Sequence, residues 1–290
     1  MSLHVDDYEH ARTGGSGAPL LLIHGWGMHG GLWGGIAEQL AQHFRVFAVD
    51  LPGHGHSAGI GEQTSVGWAQ PTHHLNFSAR VGCAHPAPVF PLDAIVDDLS
   101  AQFSEPLTVC GWSLGGQVAL RWAMRQPQQV SRLVLVATTP CFVQRPDWPC
   151  AMAAETLAEF DAALRQHYAQ TLRRFLALQV RGSERERDLL ATLRGVLFSR
   201  GEPDLDALRS GLDILRDCDL RSVLPGIEQA ALVIAGERDT LTPPSAAQYL
   251  ASHLPNARLA MIKGAAHAPF LSHPDEFVMQ LGRFMENKSD

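Results

Sequence analysis

The run Leu107-Thr108-Val109-Cys110 is apolar, Gly111-Trp112-Ser113-Leu114-Gly115 follows it directly, and Gly116-Gln117-Val118-Ala119-Leu120 opens a helical pattern. This succession of strand, sharp turn and helix is a narrow constraint, because so tight a backbone path is open only where a missing Cβ leaves room. A serine at the apex projects its hydroxyl out of the chain at a helix N-terminus, the placement of a nucleophile. Gly-x-Ser-x-Gly by itself also occurs in ordinary turns. The strand before it and the helix after it give the string its meaning here.

A serine hydroxyl is a poor nucleophile at neutral pH, so the reading demands a base to take its proton and an acid to orient that base. Downstream, Ala231-Leu232-Val233-Ile234-Ala235 reads as a buried strand with Gly236-Glu237-Arg238-Asp239 at its C-terminal end. Leu259-Ala260-Met261-Ile262 reads as another, followed by Gly264-Ala265-Ala266-His267-Ala268-Pro269. The order Ser113, Asp239, His267 resembles the Ser…Asp…His order of the α/β-hydrolases, with each residue just past a strand, where side chains converge at one sheet edge. Glu237 is a competing carboxylate; the Gly-x-x-Asp-x-x-x-Pro shape completed by Pro243 selects Asp239. The preceding strand, Leu133-Val134-Leu135-Val136, leads into Ala137-Thr138-Thr139-Pro140, which offers no acid. His267 as a plain loop histidine, one of 14 in the chain, would leave its spacing unexplained.

Acyl transfer also needs donors for the oxyanion of the tetrahedral intermediate. After Leu20-Leu21-Leu22-Ile23 comes His24-Gly25-Trp26-Gly27, a loop in which glycine frees the backbone to turn an N–H inward. The Trp26 and Leu114 amides are the expected donors, Leu114 being the residue after the nucleophile. His24 is expected to hold this loop rather than act as a second base. The turn Asp50-Leu51-Pro52-Gly53-His54-Gly55-His56-Ser57 closes the strand Val46-Phe47-Ala48-Val49, with His54 and His56 read as loop packing.

At 290 residues and 46% hydrophobic, the chain can bury one large core. Strand and helix signals alternate from about Pro19, so the expected fold class is α/β: a mostly parallel sheet flanked by helices, with an inserted helical cap. Residues 1–140 and 216–290 are expected to form the core and 141–215 the cap, where helical patterns run without intervening strands. Within it Leu157, Phe160, Leu164, Tyr168, Leu172, Phe175 and Gln179 recur at the period of one helix face. Gly182 interrupts, and Ser183-Glu184-Arg185-Glu186 offers a capping box for the next helix. No apolar leader or membrane-length stretch occurs, and Cys83, Cys110, Cys141, Cys150 and Cys218 lack paired spacing, which suits reduced thiols in the cytoplasm. The span 58–90 carries Pro71, Pro86, Pro88 and several glycines with weak periodicity, the pattern of a long loop. Its His73, His74, Cys83 and His85 match no strong zinc spacing, and neither a metal nor any cofactor is expected.

The net charge is −7, yet residues 165–200 hold eight arginines (Arg165, Arg173, Arg174, Arg181, Arg185, Arg187, Arg194 and Arg200) against Glu184, Glu186 and Asp188. That span is therefore +5 and the remainder −12. A local basic patch attracts an acidic partner in spite of the total, since charges beyond about 8 Å are largely screened. A solvated helix face with local ion pairs is the alternative. No nucleic-acid motif or interleaved aromatics accompany the arginines.

The runs His24 to Met28, Asp50 to Ser57, Gly111 to Gly116, Phe175 to Gln179 and Ala265 to Pro274 resemble the BioH-type carboxylesterases of biotin synthesis, as do Trp148-Pro149, Gly211 to Leu215 and Asp219-Leu220-Arg221. The resemblance implies hydrolysis of the methyl ester of pimeloyl-acyl-carrier protein; a monomer without membrane or nucleic-acid partners is expected. The same resemblance implies that Trp26 and Phe175 contact substrate and that Arg174 and Arg187 receive the acidic carrier. An ordinary core phenylalanine remains the alternative for Phe175. Gln170 and Ala191 stand where the family would carry further arginines, with Arg173, Arg181 and Arg194 nearby. The segment 58–90 departs from the family's short link. A general carboxylesterase, a carbon–carbon hydrolase or perhydrolase, and a noncatalytic binding protein of the same fold are the competing readings.

Overall fold

The computed structural model describes residues 3–8, 17–57 and 91–286. They form a seven-stranded sheet in the order β1-β3-β2-β4-β5-β6-β7, from β1 (Val5–Tyr8), β2 (Pro19–Ile23), β3 (Arg45–Val49), β4 (Leu107–Trp112), β5 (Val130–Val136), β6 (Ala230–Gly236) and β7 (Ala257–Ile262). Every pairing is parallel except β1 with β3. The central strands are apolar along their length because both faces are covered: Leu20 to Ile23 and Leu133 to Val136 have no exposed surface. Helices α1 (Gly34–Leu40), α9 (Pro269–Ser272) and α10 (Pro274–Glu286) pack together, while α2 (Leu92–Gln102) packs on α3 (Leu114–Arg125), and a 3-10 turn, Arg221–Gly226, bridges α3 and α8 (Pro244–His253). The two layers follow from right-handed crossovers on either side of β2.

Between β5 and β6 run α4 (Ala154–Gln166), α5 (Tyr168–Val180), α6 (Glu186–Leu197) and α7 (Leu205–Asp217), with no intervening named strand. α7 starts where the Asp204 side chain accepts from the Ala207 amide at 2.9 Å, and it buries Leu208, Leu212 and Leu215 on one face. The stripe from Leu157 to Gln179 belongs to two helices, not one. The backbone breaks at His167 (φ −140°, ψ 54°), yet His167 still donates to Ala163 and accepts from Thr171, so the apolar period continues across the corner. The expected capping box is also displaced. The Glu186 carboxylate reaches past Ser183 to the Gly182 amide at 3.0 Å, and the helix begins at Glu186 itself.

β1 is an element the sequence pattern did not announce. It carries Asp6 and Asp7 on an edge, and distant arginines satisfy them: Arg45 lies 3.6 Å from Asp7, and Arg200 donates to Asp6 at 2.6 Å. Arg200 follows α6, and its other terminal nitrogen lies 3.2 Å from Asp50, whose side chain is wholly buried. Asp50 also accepts from the Gly30 and His56 amides at 2.6 and 2.8 Å. Burial pushes the Asp50 carboxyl up, but these amides and Arg200 outweigh it and hold it below the usual carboxylate range. Arg200 thus belongs to a buried tether between the helical segment and the sheet rather than to the basic surface. Arg200→Ala leaves a buried carboxylate without its countercharge, and we expect a loss of roughly 3 kcal/mol, read as a lower urea midpoint at unchanged m-value.

Candidate active site

β2 and β4 lie side by side with Ile23 opposite Gly111, so the loops leaving their carboxyl ends diverge from one point, where the chain order switches about β2. Ser113 occupies the turn between β4 and α3 with φ 55° and ψ −117°, a conformation that costs a non-glycine residue about 1–3 kcal/mol. Its surroundings hold it there. The Ser113 amide donates to the Val136 carbonyl at 2.9 Å, and its own carbonyl accepts from the Thr138 hydroxyl at 2.6 Å and the Gly116 amide at 2.9 Å. A Cβ on Gly115 would lie 2.6 Å from the carbonyl oxygens of Ile23 and His24, so this glycine lets the helix start abut the β2 loop.

The β2 loop is fixed from beneath. His24 is buried; its Nδ1 donates to the Gly25 carbonyl at 2.8 Å, and its Nε2 accepts from the Leu51 amide at 2.9 Å. This is the loop-holding role expected of it. The Trp26 and Leu114 amides have no partner among the described residues. The Trp26 indole donates to the Leu208 carbonyl at 2.8 Å, which ties the loop to α7. Gly211 makes that approach possible, since a Cβ there would meet Trp26 at 2.7 Å.

Asp239 and His267 meet at the ends of β6 and β7, where Gly236 pairs with Ile262. His267 Nδ1 lies 2.8 Å from Asp239 Oδ2, and both side chains are nearly solvent-free. Asp239 Oδ1 accepts from the Leu241 and Thr242 amides at 2.9 and 3.0 Å, and Oδ2 also accepts from the Thr242 hydroxyl at 2.7 Å. Glu237 faces elsewhere: it is exposed and accepts from the Gly264 amide at 3.1 Å. The His267 backbone is pinned twice. Its carbonyl accepts from the indole of Trp112, the residue before Ser113, at 2.8 Å, and its amide donates to the Gln179 carbonyl of α5 at 3.1 Å.

Beside these loops lies a cavity of about 260 Å³ whose walls include Trp26, Phe160, Phe175, Leu212, Leu215 and Leu241. Trp26 stands edge-on to Phe160 and Phe175, with ring centroids 5.4 and 4.8 Å away. Phe175 is therefore both a packing residue and a wall. Sequence reasoning placed Phe160 only on a helix stripe and missed Leu241 and Thr242, although both lie inside the Asp239-to-Pro243 motif. Ser113 and His267 are not part of the cavity wall, whereas Trp26 and Leu241, from the loops after β2 and β6, are.

Arg174 lines the cavity and is exposed, whereas Arg187 is exposed on α6 away from the cavity wall. Local pairing accounts for only part of the basic span: Arg165 meets Asp161 at 2.7 Å, Arg185 meets Asp188 at 3.3 Å, and Arg200 is the buried tether. Arg173, Arg174, Arg181, Arg187 and Arg194 are exposed and have no carboxylate partner among the described residues. No cluster of three or more metal-ligating side chains occurs among the described residues; His73, His74, Cys83 and His85 lie outside them, as does the whole 58–90 segment. No helix among the described residues is long and apolar enough to cross a membrane.

A family model described as alpha/beta hydrolase fold matches residues 18–274. A pimeloyl-[acyl-carrier protein] methyl ester esterase of Nitrosomonas europaea is 44% identical over 270 residues, covering 93% of this chain and 96% of that protein. One of the same name from Nitrosospira multiformis is 40% identical over 289 residues, covering 98% of each. Among solved structures, an esterase from Exiguobacterium antarcticum shares the fold with a TM-score of 0.80 at 21% identity, over 98% of this chain and 96% of that one.

The loop supports carry a pH dependence of their own. Burial, with a smaller contribution from neighbouring His54, pushes the His24 imidazole down to about 3, and burial likewise lowers His29 and His54. His24 takes up a proton in the unfolded chain near pH 6.5 but stays neutral when folded, so its stabilisation is complete above that pH and is lost as pH falls toward 3; His29 and His54 act in the same direction. His24 alone contributes a slope of about 1.4 kcal/mol per pH unit across that window. Urea midpoints are expected to fall between pH 7 and pH 5, and His24→Gln, uncharged throughout, is expected to flatten the decline.

Proposed function

The chain belongs to the pimeloyl-[acyl-carrier protein] methyl ester esterases within the α/β-hydrolase family, and from that membership we propose how its residues remove the methyl group. It is a serine carboxylesterase that hydrolyses the methyl ester of pimeloyl-acyl-carrier protein to pimeloyl-acyl-carrier protein and methanol in biotin synthesis. The observation that carries the mechanistic reading is the buried 2.8 Å pair of His267 and Asp239, pinned through Trp112 to the strained turn of Ser113.

We assign Ser113 as nucleophile, His267 as base and Asp239 as the acid that orients it. His267 Nε2 takes the hydroxyl proton as Ser113 Oγ attacks the ester carbonyl, and the Trp26 and Leu114 amides receive the oxyanion. The imidazolium returns its proton to the departing methoxide, releasing methanol. Water, deprotonated by the same histidine, then attacks the acyl-enzyme; collapse frees Ser113 and a carboxylic acid, with no cofactor in either half.

Residues 141–215 act as the cap over a core of 1–140 and 216–290. The methylene chain fills the apolar cavity between Trp26, Phe160 and Phe175, with the thioester held toward the Arg174 side and only the distal ester reaching Ser113. A free carboxylate on the same chain would be desolvated there without a partner, which favours entry of the ester and expulsion of the acid. Arg174 and Arg187 receive the acidic carrier, with the protein acting as a cytoplasmic monomer that needs no membrane or nucleic acid.

Steady-state rates on carrier-bound and free methyl pimelate test this reading. Ser113→Ala is expected to abolish both, and unchanged turnover by the purified mutant would remove the nucleophile assignment. Reversing Arg174 and Arg187 to Glu is expected to raise KM for the carrier-bound ester at least about tenfold and leave the free ester unaffected. Equal rates of wild type on the two esters would favour a general carboxylesterase.

A further inference from the structure

Thr242 stands on the loop after β6, one residue before Pro243, and is 2% exposed. Its hydroxyl lies 2.7 Å from Asp239 Oδ2 and 3.3 Å from His267 Nδ1, at the junction of the acid and the base. An ionised carboxylate only accepts, so the single hydroxyl proton goes to Asp239 and a lone pair of Thr242 faces the ring nitrogen. Asp239 then has four donors, the Leu241 amide, the Thr242 amide, the Thr242 hydroxyl and the His267 ring, which is the number of lone-pair sites a carboxylate offers.

We propose that Thr242 is a positioning residue for proton transfer, its hydroxyl sharing Asp239 Oδ2 with His267 so that the imidazole is held with Nδ1 protonated and Nε2 free to accept. This rests on the assignment of Ser113, Asp239 and His267 above and extends it to a fourth side chain. Two consequences follow from the shared oxygen. Tilting the carboxylate out of its plane weakens at least one of the four bonds, so the ring it orients is held in place. The hydroxyl also takes up part of the charge on Oδ2, so the imidazolium is stabilised less and surrenders its proton more readily to the leaving methoxide.

The other charged groups near this junction are engaged elsewhere. On the same loop Glu237 accepts from the Gly264 amide, and Arg238 donates to the Gly182 carbonyl at 3.0 Å. From the α5–α6 connection, Glu184 lies against Gly264. The Trp112 ring, 5.6 Å from the imidazole and itself 5.2 Å from Phe270, contributes apolar surface. The backbone amides of Leu241 and Thr242 already close the turn around Asp239, so the hydroxyl is not needed to form the turn.

The test is the pH profile of p-nitrophenyl butyrate hydrolysis by wild type, Thr242→Val, Thr242→Ala and Thr242→Ser, with Ser113→Ala as control. Val keeps the shape and removes the donor. In both Val and Ala we expect kcat to fall about tenfold with KM within about twofold, and the acid limb of kcat/KM to move to higher pH. Ser, which restores the hydroxyl, is expected to return both the rate and the limb toward wild type. Unchanged kcat in Val and Ala, a fall without movement of the acid limb, or a Ser variant as impaired as Val would each overturn the proposal. Turnover surviving in Ser113→Ala would instead overturn the triad assignment beneath it, so the two failures are distinguishable.

Discussion

The carboxyl ends of the parallel strands are level. Ile23 lies opposite Gly111, Trp112 opposite Val136, Val136 opposite Ile234, and Gly236 opposite Ile262. The proposed chemistry depends on that register, because Ser113, Asp239 and His267 leave from the ends of different strands. A parallel ladder repeats about every two residues along the strand, so a slip of one residue would turn the side chains of the slipped strand to the opposite face of the sheet. Burial on both faces penalises such slips directly: β4 presents no exposed residue, and a one-residue slip would also break the Ser113–Val136 and Ala137–Ile234 bonds that continue the ladder past the strand ends. The strained Ser113 is tolerable for the same reason, since its amide and carbonyl are both held by neighbours anchored in the next strand.

The helical segment between β5 and β6 is not merely laid over this edge. It is hooked to the loops that follow β2, β7, β6 and β3: Leu208 of α7 to Trp26, Gln179 of α5 to the His267 amide, Gly182 to Arg238, and Arg200 to Asp50. Val196 of α6 adds a fifth attachment by accepting from His29 at 2.8 Å. Four of these five contacts use a backbone carbonyl of the helical segment as acceptor, and side-chain substitution within that segment does not delete a carbonyl. Helix packing therefore sets where Phe160 and Phe175 stand against the loop of Trp26.

The strands from β2 to β7 and the helices between them were legible because each obeys a period that burial imposes. The tight turn at Ser113 and the meeting of Asp239 with His267 were legible because each residue sits where such a period stops. β1 escaped because an edge strand with Asp6 and Asp7 is apolar on neither face, and its support comes from Arg200, far away in sequence. The corner at His167 escaped for the opposite reason: no glycine or proline marks it, and the apolar stripe runs through unbroken. Charge was the least legible property. Eight arginines in one span look alike in sequence, yet one is a buried tether, two are locally paired, and five face solvent without a carboxylate among the described residues.

That division of the arginines bears on how a chain of net charge −7 can receive an acidic protein at all. Screening over about 8 Å would make the encounter a local matter, so the exposed set on α5, α6 and the turn between them would act with little interference from the acidic remainder. Arginines already paired would have to break those pairs first, which makes Arg165 and Arg185 poor docking groups despite their position. Arg174 differs from the other four in being both exposed and part of the cavity wall, so under the proposed docking a partner bound there would have its attached acyl chain at the entrance. On the proposed reading, docking and chemistry are separated along one path. The charged end would fix which molecule arrives, the apolar walls how far its chain enters, and the buried Asp239–Thr242–His267 junction would act only on the ester that reaches Ser113.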